Sequence, residues 1–225
     1  MLAPSQIPQL IRSHFPIAPV PSVPEIVLHI AGPKSGLWRL AELDRDFAPP
    51  YWAFYWGGGL ALARHVLDWP EIVAGRTVLD LGAGSGLVGI AAAKAGAKRV
   101  IAADVDRWAI AAIGLNAEAN GVAISTVLDD LTTGSPPDVD VVLAGDLFYR
   151  EDLAQRVTAF LDRCLESNID VLVGDPGRAS LPRGRLRPVA EYPGPDFGNG
   201  NCGEPKQNAV FYFEKEFVRL EPATH

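Results

Sequence analysis

The chain has 225 residues, 48% of them hydrophobic, a formal net charge of -7, no basic tract and two cysteines, Cys164 and Cys202. That length and apolar content suit one domain with a sizeable core plus an N-terminal extension, and the acidic balance argues against a nucleic-acid surface. Neither cysteine belongs to a Cys-x-x-Cys or His/Cys set, which argues against a disulfide scaffold or zinc site and for a reducing compartment.

No run reaches the roughly 18 apolar residues of a membrane helix, and the first twenty residues hold no signal-peptide core, so a soluble, cytoplasmic protein, monomeric by default, is expected. Residues 1–46 read as an arm with small accessory elements, and 47–225 as the main domain. A short helix around Ile7 to His14 precedes Pro16, Pro19, Pro21 and Pro24, which predict a stiff extended arm lying over the fold. Glu25 to Ile30 reads as a strand, Gly32 to Gly36 as a turn, and Trp38 to Leu43 as a segment pairing with that strand. Tyr51, Trp52, Phe54, Tyr55 and Trp56 then crowd between Pro49-Pro50 and Gly57-Gly58-Gly59, a pattern suited to an aromatic lid rather than a regular element.

A helix is expected over Gly59 to Leu67, and Val78 to Leu81 reads as a strand buried on both faces. Helices over Leu87 to Ala95 and Arg107 to Asn120 alternate with strands at Val100 to Ala103 and Ile124 to Leu128. Further strands are expected at Val139 to Ala144 and Val171 to Gly174, with a helix from Leu153 to Leu165 between them. Residues 181–202 are rich in Pro, Gly and Arg, and Asn208 to Glu214 alternates as a late antiparallel strand. Alternating strands and helices, with polar residues at strand ends, predict an α/β fold: a doubly wound, mostly parallel sheet with its ligand at the carboxyl edge.

Thr77 to Gly86, Thr-Val-Leu-Asp-Leu-Gly-Ala-Gly-Ser-Gly, is a nucleotide-type strand and loop. A dinucleotide fingerprint would place its third glycine at Leu87, three residues after Gly84. Glycines at 82, 84 and 86 with Asp80 just upstream suit S-adenosylmethionine better, because that ligand lacks a pyrophosphate and carries cationic groups. Asp104 ends the next strand 22 residues after Gly82, near the spacing at which a carboxylate receives ribose hydroxyls. Asp130, beside Asp129, is placed either to accept from an adenine amino group or as a solvated turn residue.

These pieces resemble the seven-strand, S-adenosylmethionine-dependent methyltransferases. More narrowly, three segments resemble the lysine methyltransferases that act on the electron-transfer flavoprotein beta subunit: residues 50–56, Gly145-Asp146-Leu147-Phe148-Tyr149, and Val173-Gly174-Asp175-Pro176-Gly177-Arg178. The resemblance covers roughly residues 47 to 180. It implies a seven-stranded Rossmann-like sheet, a cofactor-binding set of Trp56, Asp80, Gly82, Gly84, Gly86, Asp104, Asp130, Leu131 and Gly145, and a lysine entrance lined by the catalytic candidates Asp146 and Tyr149. It also implies the flavoprotein subunit as partner, with no nucleic acid, membrane or metal. A lysine of pKa near 10.4 must lose its proton before attack, and a carboxylate raises that pKa further, so Asp146 is expected to orient the incoming amine rather than act as a strong base. Arg178 either contacts the protein substrate or closes a turn leaving the sheet. Three other readings remain open: a small-molecule amine N-methyltransferase, an NAD-dependent oxidoreductase, and a non-catalytic S-adenosylmethionine-binding module.

Overall fold

Val78, Leu79, Asp80 and Leu81 are all buried, so their strand, β3 (Thr77–Leu81), has protein on both faces and lies inside a sheet. The structure is a computed structural model that describes residues 6–32, 35–43, 48–195 and 206–215; Cys202 lies outside them. Around β3 run β4 (Arg99–Asp104), β5 (Ser125–Leu128), β6 (Val141–Gly145), β7 (Asp170–Asp175), β8 (Leu186–Gly194) and β9 (Lys206–Phe213). They form a seven-stranded sheet in the order β5-β4-β3-β6-β7-β9-β8. The first five strands are parallel, while β9 runs antiparallel to both β7 and β8.

The pleat divides the core in two. Leu79, Val142, Val171 and Val173 pack on one face with Phe160 of α6 (Glu151–Glu166). On the other, Val78, Val141, Leu143 and Leu172 meet Ala61 and Leu62 of α3 (Gly57–Asp68) and Ala92 of α4 (Leu87–Lys94). With α5 (Arg107–Ala119) following β4, this is the doubly wound arrangement, whose parallel strands open their carboxyl ends at one edge.

Two expectations require correction, and one stretch left without an assigned element holds a strand. The proline-bearing arm is paired: β1 (Ile17–Val20) runs antiparallel to β2 (Val23–His29), with Pro19 tolerated in a short two-stranded ladder. Trp38 to Leu43 belongs to a helix, α2 (Leu37–Leu43), and pairs with no strand; Leu37, Leu40, Ala41 and Leu43 follow helical spacing and most of the segment favours helix. The Pro/Gly/Arg-rich stretch holds β8, an edge strand whose register shifts between Pro188 and Ala190, where a missing N–H costs least.

The N-terminal elements share the main core. Ile7 and Ile11 of α1 (Ile7–His14) pack with Phe15, Trp52 and Trp108, while Ile26 and Leu28 of β2 pack with Leu60 and Ile90. Asn116 of α5 ties two regions together, its Oδ1 accepting the His29 N–H at 2.8 Å and its Nδ2 donating to the Ser85 carbonyl at 2.8 Å. Glycines let α3 meet the sheet backbone directly. A Cβ on Gly58 would fall 2.2 Å from the Gly174 carbonyl oxygen, so no larger residue allows this approach.

Candidate active site

A cleft of about 1110 Å³ opens along the carboxyl edge of β3 to β7. Its floor is the loop after β3, where Gly82, Gly84 and Gly86 take φ of 64°, 53° and 81°. Gly82 and Gly84 line the cleft; Gly86 does not. Gly86 caps the start of α4 and faces Ile113, which a Cβ would approach to 3.2 Å. The remaining candidates, Trp56, Asp80, Asp104, Asp130, Leu131, Gly145, Asp146 and Tyr149, all border the cleft.

Asp104 leaves the end of β4 already oriented. Gly84 N–H donates to its Oδ2 at 2.8 Å and Asp106 N–H to its Oδ1 at 2.9 Å, and the residue borders the cleft. Burial raises its carboxyl above the usual carboxylate value. Asp80 is deeper, 2% exposed, accepting from Gly89 N–H at 2.7 Å, and burial pushes it up to about 7. Asp130 lines the cleft, and its Oδ1 accepts from Thr132 N–H as the cap of a short 3-10 turn.

Asp146 is held at φ 57°, a left-handed conformation uncommon for a side-chain-bearing residue. Its Oδ2 accepts from Gly59 N–H at 2.8 Å in the first turn of α3, and the Arg178 guanidinium donates to its Oδ1 at 2.7 Å. Burial raises its carboxyl to about 6 against the opposing pull of Arg178. Arg178 is thus turned inward, although the turn reading also holds: Asp175 Oδ1 accepts from the Gly177 and Arg178 N–H groups, both at 2.7 Å.

The aromatic segment divides its work. Trp52 is buried, stacked on Trp108 at 5.5 Å, while Tyr51 and Trp56 stand at the cleft with ring centroids 5.6 Å apart. Trp56 Nε1–H donates to the Tyr51 carbonyl at 3.0 Å, and Tyr149 packs its ring 5.3 Å from Tyr51 across the mouth. Trp38 of α2 adds an edge-on contact to Tyr51 at 5.6 Å. The sequence reading missed Trp38, whose assumed strand pairing hid it, and Asp106 and Thr132, which line the cleft without belonging to a motif. Among the described residues no group of His, Cys, Asp and Glu could hold a metal ion, and no helix is long and apolar enough to cross a membrane.

The family model described as ribosomal protein L11 methyltransferase (PrmA) matches residues 65–160. A candidate RNA methyltransferase from Pyrococcus horikoshii, 19% identical, shares the fold with a TM-score of 0.54 over 76% of this chain and 92% of its own. The electron transfer flavoprotein beta subunit lysine methyltransferase of Rattus norvegicus is 39% identical over 77% of this chain and 70% of its own length. The chain belongs to that methyltransferase family. The Danio rerio member is 43% identical over 73% of this chain, which spans 64% of that relative's length. Family membership makes this cleft the place to seek donor and acceptor sites, with the glycine loop, Asp104, Asp146 and Tyr149 all on its lining.

Proposed function

We propose that the protein is an S-adenosylmethionine-dependent protein-lysine N-methyltransferase acting on lysines of the electron-transfer flavoprotein beta subunit. One observation carries the reading: a single cleft joins the Asp104-anchored glycine loop to the paired Asp146 under an aromatic rim.

The residues present fit the cofactor. Asp80, Asp104, Asp106, Asp129 and Asp130 border one cleft, a donor set that favours a cationic ligand bearing hydroxyls, and Gly82 and Gly84 let a nucleoside approach the backbone. When bound, the cofactor supplies a methyl group on a sulfonium, an electrophile no side chain provides. Asp104 would receive the ribose hydroxyls, Asp130 and Leu131 would border the base, and Asp80 would favour the positive end.

The protein's own task is to deliver a neutral amine in line. Tyr51, Trp56 and Tyr149 form walls for the aliphatic stem of a lysine and exclude water from it. Asp146 accepts an N–H of the incoming group and fixes its direction. The amine lone pair so held would take the methyl carbon that the cofactor supplies, and the surplus N–H proton would leave from the Asp146 side to water.

The test is incubation of purified electron-transfer flavoprotein with the enzyme and S-adenosylmethionine, read by intact mass. Methylene-sized increments on the beta subunit are expected. An unmodified flavoprotein, with methylation of free small amines instead, would transfer the assignment to small-molecule N-methylation.

A further inference from the structure

β6 and β7 end side by side, and each delivers an acid to the same place: Asp146 after one strand, Asp175 at the tip of the other. A buried carboxylate facing an ammonium stabilises the protonated amine and raises its pKa, the opposite of what a nucleophile needs. Geometry supplies a counterweight. The Arg178 guanidinium donates to Asp146 Oδ1 at 2.7 Å with the two side chains 16% and 8% exposed, so the ion pair is nearly shielded from water. The turn carrying Arg178 is fixed by Asp175 and by Gly177 at φ 88°, and Arg178 itself borders the cleft.

We propose that Arg178 is a positioning residue that balances the charge of Asp146, so that the pair offers a substrate lysine an oriented acceptor with little net negative charge. The inference rests on the lysine methyltransferase reading. Its consequence is kinetic: the bound amine sheds its proton nearer neutral pH than it would against an unbalanced carboxylate.

Among the described residues, the other charged and titratable groups around Asp146 are few. Asp175 raises it, while the first-turn amide of Gly59 lowers it from α3. Arg183, from the turn after β7, acts on Asp175. Tyr149 and Arg150 follow on the same loop, and Tyr51 faces Tyr149 from the aromatic segment. Removing the Arg178 charge leaves two acids at neighbouring strand tips. An ionised Asp146 then holds the ammonium more tightly, and a protonated one stops accepting; each outcome moves the onset of turnover to higher pH.

The experiment measures kcat against pH, at saturating flavoprotein and S-adenosylmethionine, for wild type, Arg178→Gln and Arg178→Lys, with S-adenosylhomocysteine affinity and Tm recorded alongside. For Arg178→Gln the acid limb of kcat moves up by about one to two pH units and turnover recovers toward wild type at high pH. Arg178→Lys keeps the charge and holds the limb near its wild-type position. A Gln variant whose kcat falls by one constant factor at every pH overturns the proposal. So does a Lys variant whose limb is displaced upward, and that comparison decides the matter even if the Gln variant fails to fold. A wild-type enzyme that methylates no lysine or free amine at any pH would instead overturn the underlying functional reading.

Discussion

Asp80 and Asp104 show what single residues contribute and what they cost. Burial raises the Asp80 carboxyl from 3.8 to about 7, so the folded protein binds that proton more tightly than the unfolded chain. The associated stability is complete below the unfolded value and is lost as pH rises through about 7. Asp80→Asn keeps an oxygen for the Gly89 N–H, so its Tm should gain on wild type between about pH 4 and about pH 8; a constant difference across that range would contradict the burial account. Asp104 does different work, anchoring two backbone N–H groups while facing the cleft. Asp104→Ala should weaken S-adenosylhomocysteine binding about 10- to 100-fold by calorimetry, and an unchanged Kd would remove the residue from the ligand site.

Among the elements, α3 is the one whose placement decides the site, because its first turn supplies the Gly59 N–H that holds Asp146. Gly58 and Gly59 differ sharply in surroundings. A Cβ on Gly58 would meet the Gly174 carbonyl oxygen at 2.2 Å and Asp146 Oδ2 at 2.8 Å, whereas one on Gly59 meets only Val88 at 3.9 Å. Gly58→Ala should therefore cost about 3 kcal/mol or more in denaturant unfolding and lower activity, while Gly59→Ala should be neutral or stabilising by under about 1 kcal/mol. Equal effects would show that the close approach does not set the helix position.

The glycine triplet, the strand-and-loop around Asp80 and the run of β/α alternation were legible in the sequence because local spacing alone dictates them. Tertiary partnership was not legible. That Arg178 folds inward onto Asp146 depends on two strands ending side by side, which no spacing between residues 146 and 178 encodes. The edge strand β8 was hidden by prolines that an interior strand would not tolerate, and α2 by a segment too short for its periodicity to outweigh a neighbouring strand.

At the level of the whole molecule, the N-terminal hairpin and the glycine loop are coupled through α5. Asn116 is fully buried and serves both, accepting from His29 N–H and donating to the Ser85 carbonyl. Asn116→Ala would strand both groups and should cost about 2 to 4 kcal/mol of stability. It should also weaken S-adenosylhomocysteine binding, although Asn116 does not border the cleft. Retained affinity in a destabilised variant would show that the hairpin braces the fold without shaping the loop.

If one cleft holds both the nucleoside and the lysine entrance, a crystal structure with S-adenosylhomocysteine will show them together. Ribose hydroxyls on Asp104 and the ligand sulfur directed toward Asp146 beneath Trp56 and Tyr149 are the expected result. A nucleoside bound elsewhere, or a sulfur facing away from the Asp146–Arg178 pair, would contradict it.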